Sequence, residues 1–263
     1  MCTVTFVKSD IKNGEKKMKI IVKNSKLEAA KYAARLLAEE LKAKPDAVFG
    51  LATGRTMEPL YAELCAIAES EKLDFSRARS FNLDEYAGLP GSDVNSYRAY
   101  MQMHLFDHVN FKETNLPDGV APDAEAEAKR YDDAIKAAGL DVQLLGIGNN
   151  GHIGFNEPET AFDSRTRHVK LTEATIEQNQ GLFPKPEDMP RYAFTMGIGT
   201  IMEAKKIILV ATGSAKTGIL AEAVLKPASE RVPASVLQNH ADVVIVADKE
   251  AAAAIPAEYI TEA

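Results

Sequence analysis

Four short stretches of this 263-residue chain hold the side chains whose types and spacing could do chemistry. Asp84-Glu85 is a pair of adjacent carboxylates closing the run from Ala78 to Leu83. A carboxylate there can act as a general base, and the bland alternative is a solvated rim or a cap for the next helix. The second stretch sets His152 and Glu157 five residues apart among Gly148, Asn150, Gly151 and Gly154. A histidine with a nearby carboxylate is a proton shuttle, and the glycines permit backbone conformations and close approaches closed to bulkier residues. The third and fourth stretches are Thr53-Gly54-Arg55-Thr56 and Thr212-Gly213-Ser214-Ala215-Lys216. Each reads as a strand end, a glycine, hydroxyls and a cation ahead of a helix, which offers free N–H groups and a positive dipole end to an anion. The bland alternative is a βα turn whose hydroxyls only cap the helix. His104 and His108 lack a third ligand, so no metal site is expected. No Walker loop or GxSxG elbow occurs, and no cofactor is expected either.

The elements that must position these loops follow from periodicity and punctuation. Strands are expected at about 18–23, 47–51, 78–83, 142–147, 168–171, 191–196, 207–211 and 243–247. Between them lies a helix capped by Ser25, with Leu27, Ala30, Ala34, Leu37 and Leu41 on its inner face. Further helices are expected at 59–69, from Ser96 through Leu105, at 123–138 and 172–180, from Gly197, after Lys216, and after Asp248 as its cap. Residues 110–122 read as loop. Strand and helix alternate, which implies an α/β fold: a doubly wound, mostly parallel, Rossmann-like sheet with helices on both faces, as a single domain over 18–263. Residues 1–17 read as a dispensable, disordered N-terminal extension, although Thr3 to Val7 could add an edge strand. In such a sheet the carboxyl ends of the strands share one edge, so the four stretches should converge on one pocket.

Composition narrows the function class. A net charge of -7, with no basic cluster beside stacking aromatics, argues against a nucleic-acid partner. An anionic small ligand stays compatible, because a few local donors decide that contact. Cys2 and Cys65 form no disulfide framework and suit a reducing compartment. No stretch is long and apolar enough to span a membrane, and the N-terminus has no signal-peptide core, so a cytoplasmic protein is expected. A monomer and a homo-oligomer are equally compatible with these features.

The stretches Phe81-Asn82-Leu83-Asp84-Glu85-Tyr86 and Gly151-His152-Ile153-Gly154-Phe155-Asn156-Glu157-Pro158 resemble those of the glucosamine/galactosamine-6-phosphate isomerase family. Within it the likeness is to the glucosamine-6-phosphate deaminases, and it runs from about Met18 to the last strand. The 6-phosphogluconolactonase relatives carry Gly-His-Thr in the loop and lack the Phe-Asn-Glu continuation. The resemblance implies hydrolytic deamination of D-glucosamine 6-phosphate to D-fructose 6-phosphate and ammonia, with no cofactor or metal. It implies that His152 serves ring opening, oriented by Asn150 and Glu157, and that Asp84 takes the C2 proton. The phosphate would be held by Thr53, Gly54, Arg55, Thr56 and Lys216, with Glu85 and Gly151 as further substrate contacts. The same kit could act on the galactosamine epimer. A lactonase would need the absent Gly-His-Thr loop, and a non-catalytic sugar-phosphate sensor would have no use for Asp84, His152 and Glu157 together.

Three departures from the family pattern carry expectations of their own. Some members have aspartate where this chain has Asn150, and an amide cannot take up a proton, so the weight falls on Glu157. Many members carry a phosphate-reaching arginine where this chain has Gly181, and Arg55 is expected to supply the lost guanidinium. Members activated by N-acetylglucosamine 6-phosphate use a basic patch of which Arg167 is retained, whereas Val169 stands where a lysine would sit, so little activation is expected.

Overall fold

The computed structural model describes residues 18–261, so the N-terminal extension and its Thr3 to Val7 segment lie outside the described residues. In chain order the elements are β1 (Met18–Lys23), α1 (Lys26–Ala43), β2 (Val48–Leu51), α2 (Glu58–Glu71), β3 (Arg79–Asn82), β4 (Asp84–Ala87), α3 (Tyr97–Met101), β5 (Glu113–Asn115) and α4 (Ala124–Ala138). They continue with β6 (Val142–Leu145), β7 (Arg167–Lys170), α5 (Glu173–Asn179), β8 (Tyr192–Thr195), α6 (Ile198–Met202), β9 (Lys206–Ala211), α7 (Thr217–Leu225) and β10 (Val243–Asp248). Local chemistry starts the helices where the sequence places them. Ser25, Ser96, Asp123 and Thr172 each accept an N–H from three residues on, at 3.2, 3.0, 3.0 and 3.3 Å. Such a cap is typically worth about 1 kcal/mol.

Seven strands form one parallel sheet in the order β1-β10-β9-β6-β2-β3-β5. From β2 the chain moves outward through β3 to β5, then returns to the other side of β2 with β6 and continues outward through β9 to β10. The reversal makes the β2/β6 boundary the topological switch point, where the loops leaving neighbouring strands part and open a crevice. β2, β6 and β10 are buried along their whole length, which is why they read as largely apolar runs rather than alternating ones. Phe81 packs on Tyr131 of α4 at 5.9 Å between ring centroids. Phe49, one register position out of phase and so on the opposite face, meets Phe75 and Phe111 at 6.3 and 5.9 Å. On α1 the inner face is Ala29, Ala30, Ala33, Ala34, Leu37, Ala38 and Leu41. Its alanines admit the helix closely, and burying a side chain such as Leu37 contributes roughly 1.5–3 kcal/mol. Leu27, expected on this face, is 54 % exposed and lies outside it.

At the opposite end of the strands from the crevice, Asp141 fixes the start of β6. Its carboxylate accepts the Val48 N–H at 2.9 Å and pairs with Lys44 and Lys205 at 2.6 and 2.8 Å. Burial resists ionisation there, and the two ammonium groups overcome it and hold the acid below its ordinary range.

Several expectations need correction. Residues 84–87, 167–170 and 192–195 do not extend the main sheet but form a second sheet, β4-β8-β7, with both pairings antiparallel. Its own small core joins Tyr86, Phe155, Leu171, Ile176, Phe183, Met189 and Ala193. Short strands of four residues carry no sequence mark of the sheet they will join. The supposed loop of residues 110–122 contains β5, which pairs with β3 at the edge. After Met101 the helix widens into a π turn at Gln102–Phe106 instead of running straight to Leu105. The terminal helix after Asp248 does not form; the Asp248 carboxylate takes the Ala251 N–H at 2.8 Å, and the chain continues in turns to Pro256. Among the described residues no helix is long and apolar enough to cross a membrane.

Candidate functional site

The loop leaving β6 is built around an imidazole lying on glycine. A Cβ at Gly148 would sit 2.4 Å from the His152 ring, so only glycine lets the ring occupy that place. Gly151 and Gly154 take φ values of +87° and +58°, a region that L side chains rarely enter. Gly148 N–H returns to the His152 carbonyl at 2.9 Å, and Ala234 N–H anchors the Gly151 carbonyl at 2.9 Å. His152 Nδ1 lies 3.5 Å from Glu157 Oε1 and has no hydrogen-bond partner among the described residues. Asn150 sits as a brace between the two: its Nδ2 donates to Glu157 Oε2 at 2.7 Å, and its Oδ1 accepts the His152 N–H at 3.2 Å. Thr175 and Thr172 add hydroxyl donors to Glu157 Oε1 at 2.7 and 3.3 Å. Burial opposes ionisation of Glu157, but His152 and the donors of Thr175 and Asn150 outweigh it and bring the carboxyl down to about 2.

Asp84 has the reverse surroundings. It is 6 % exposed at the first position of β4, and no hydrogen-bond donor reaches its carboxylate among the described residues. Burial first, and then the charge of Glu85, push it up to about 8. Glu85, equally buried, is spent otherwise. Its carboxylate accepts the N–H groups of Tyr86, Tyr97 and Arg98 at 2.8, 2.8 and 2.9 Å. It therefore caps α3, the bland reading of this pair. Two links join Asp84 to the histidine loop. Thr195 pairs with Asp84 across β8, and its hydroxyl accepts the Phe155 N–H at 3.1 Å. Leu83 and Thr195 also crowd Gly154, where a Cβ would come within 3.2 and 2.9 Å of them.

The two anion turns differ. After β2, Gly54 takes φ +111°, and the N–H groups of residues 53–56 have no protein acceptor among the described residues. Thr53 and Thr56 are half-buried there and Arg55 is exposed. After β9, the expected second anion site at the amides is already filled from within. Gly213 N–H is shared by both oxygens of Asp248 at 3.0 and 3.1 Å, and Ser214 N–H meets Glu250 at 3.3 Å. The Lys216 side chain stands beside the histidine loop, with its Nζ 2.6 Å from Asn149 Oδ1 and its basicity lowered by burial.

Sequence reasoning missed Tyr97, Thr172, Thr175 and Thr195. The Tyr97 ring lies 4.7 Å from that of Tyr86, and its hydroxyl shares hydrogen bonds with Tyr86 and Thr53. The available signal was the i, i+3 spacing of Tyr97 and Tyr100 on one helix face. Arg167 donates to Asn156 Oδ1 at 2.8 Å. His104 stacks near Tyr100 and His108 Nε2 meets the Met103 carbonyl, so the two histidines serve separate local contacts. No cluster of three or more His, Cys, Asp or Glu able to hold a metal occurs among the described residues.

Residues 23–246 match the family model of glucosamine-6-phosphate isomerases/6-phosphogluconolactonase. A glucosamine-6-phosphate deaminase of Clostridium botulinum (strain Loch Maree / Type A3) is 48% identical over 238 residues, covering 89% of this chain and 98% of that protein. One of Shouchella clausii is 49% identical over 236 residues, covering 89% and 95%. Among solved structures, a monomeric glucosamine-6-phosphate deaminase superposes with a TM-score of 0.88 at 44% identity, covering 90% of this chain and 100% of that one. A 6-phosphogluconolactonase from Trypanosoma brucei, at 22% identity and a TM-score of 0.68, shares the fold. The chain belongs to the glucosamine-6-phosphate isomerase/6-phosphogluconolactonase family.

Proposed function

We propose that this family member deaminates D-glucosamine 6-phosphate, taking up water and releasing D-fructose 6-phosphate and ammonia. The observation that carries the reading is a pair of carboxylates on the segments leaving β3 and β6, pushed in opposite directions, Asp84 to about 8 and Glu157 to about 2, together with an anion turn with open amides after β2. The relatives named above, nearly half identical along almost their whole length, support the substrate.

Thr53, Gly54, Arg55 and Thr56 hold the phosphate with Lys216, which places the sugar carbons against the two acid–base groups. His152, kept in place by Asn150 and Glu157, moves a proton from the anomeric hydroxyl to the ring oxygen and opens the ring. Asp84, short of stabilising donors, is a strong enough base at neutral pH to take the C2 proton and return it to C1. The enolamine formed between these steps becomes a C2 imine, and water replaces the nitrogen, which leaves as ammonia. Positioned proton transfer of this kind contributes about 10²–10⁴-fold, or roughly 3–5 kcal/mol of barrier.

Coupled assays for ammonia and fructose 6-phosphate test the reading, with galactosamine 6-phosphate and 6-phosphogluconolactone run alongside. Turnover of glucosamine 6-phosphate well above both is expected. Turnover of the lactone alone would sink the proposal, and a preference for the galactosamine epimer would reassign the substrate.

A further inference from the structure

A tyrosine outside the acid–base set holds the open anion turn. The Gly54 carbonyl accepts two hydrogen bonds, one from Met57 N–H at 2.8 Å within the turn and one from the Tyr100 hydroxyl at 2.9 Å across from α3. A peptide group is planar and trans, so the direction of the Gly54 carbonyl also fixes the Arg55 N–H, which points the opposite way. That N–H is one of the unpartnered donors of the turn. Glycine at φ +111° is free to turn the same peptide over, because no Cβ opposes it. A turn of this composition therefore needs a restraint from outside.

Tyr100 is well placed to supply it. The first turn of α3 is gripped by the Glu85 carboxylate through the N–H groups of Tyr97 and Arg98. One position along, Asp84 is the proposed base. The Tyr100 ring is braced by His104, with centroids 4.4 Å apart, on the π turn that follows α3. Burial and the charge of Glu58 hold the phenol protonated, so it stays a donor. β4, α3 and the anion turn thus form one connected strut between base and phosphate.

We infer that Tyr100 is a positioning residue for anion recognition, orienting the Arg55 N–H toward the phosphate by holding the Gly54 carbonyl from behind. The inference rests on the anion-turn role proposed above. Its test compares Tyr100→Phe with the unaltered chain in KM and kcat for glucosamine 6-phosphate, in the inhibition constant of inorganic phosphate, and in melting temperature. KM and the phosphate inhibition constant are expected to rise together by about fivefold, as the loss of one neutral hydrogen bond implies. The kcat should stay within about twofold, because Asp84, His152 and Glu157 keep their partners. His104→Ala, which loosens the ring without deleting the donor, should shift both constants in the same direction by less. Unchanged KM and phosphate inhibition in Tyr100→Phe, with only the melting temperature lowered, would overturn the inference while leaving the proposed function standing. An unaltered chain that neither turns over the sugar nor responds to phosphate would remove both.

Discussion

Asp84 and Glu157 are both acids at the mouth of the same sheet, and their surroundings divide them. Glu157 lies among donors from Asn150, Thr172 and Thr175 and faces His152, so its charge is stabilised despite partial burial. Asp84 is buried deeper and, among the described residues, receives no donor, with the repulsion of Glu85 beside it. One carboxylate is thereby fixed as a permanent anion that can steady an imidazolium, and the other is poised to gain and lose a proton near neutrality. The difference comes from who supplies hydrogen bonds. The donors near Asp84 are turned elsewhere, with the α3 amides given to Glu85.

The sharpest way to break this contrast is Asp84→Asn, which deletes the base. Deamination is expected to fall by about 10²–10⁴-fold. The same variant should be increasingly more stable than the unaltered chain as pH rises toward 8, with the difference complete above it. A carboxyl raised to about 8 binds its proton more tightly folded than unfolded, where the value is near 3.9, so it costs stability progressively as pH rises between those limits. Melting curves from pH 5 to 9 check this: the unaltered chain should lose stability relative to Asp84→Asn as pH rises, by about 2–4 °C for each kcal/mol. A constant difference across that range would mean Asp84 is ordinary. Glu157→Gln comes next, since it removes the charge but keeps the shape and a contact for Thr175. About a 10²-fold loss in kcat is expected, with the ring-opening step slowed. Starting the reaction from the open-chain product side, fructose 6-phosphate with ammonia, should show a smaller loss in the early isomerisation. The folding contribution of Glu157 has the opposite sign to that of Asp84: it is complete above the unfolded value near 4.3 and is lost as pH falls toward 2. The smallest effect is expected from Thr175→Val, which takes one donor from Glu157. Roughly a tenfold drop in kcat/KM, read together with an upward shift of the acid limb of the pH profile, follows from losing one charge-assisted hydrogen bond. An unmoved limb would show that the threonine only packs.

The anion turns repeat the lesson in backbone terms. Thr53-Gly54-Arg55-Thr56 and Gly213-Ser214-Ala215-Lys216 look alike as strings, a strand end, a glycine, a hydroxyl and a cation. The first keeps its amides open, whereas Asp248 and Glu250 reach back from the end of β10 to take the Gly213 and Ser214 N–H groups of the second. Asp248 was expected as the cap of a following helix, and its carboxylate serves the neighbouring strand's turn as well as a local one. A hydrogen-bond donor has no sequence mark that says which acceptor will find it.

The sequence by itself settled the α/β architecture and the helix starts at Ser25, Ser96, Asp123 and Thr172, because these depend on periodicity and capping that are local. It also settled that Gly148, Gly151 and Gly154 belong to a demanding loop. The tertiary structure alone decided that β4, β7 and β8 leave the main sheet, that Thr195 ties Asp84 to the histidine loop, and that Glu85 caps α3 while Asp84 stays bare. It alone brought Thr175 to Glu157 and Tyr100 to Gly54. Each of those contacts joins residues far apart in the chain, where burial and the competition for a limited number of donors set the charge and direction of every group.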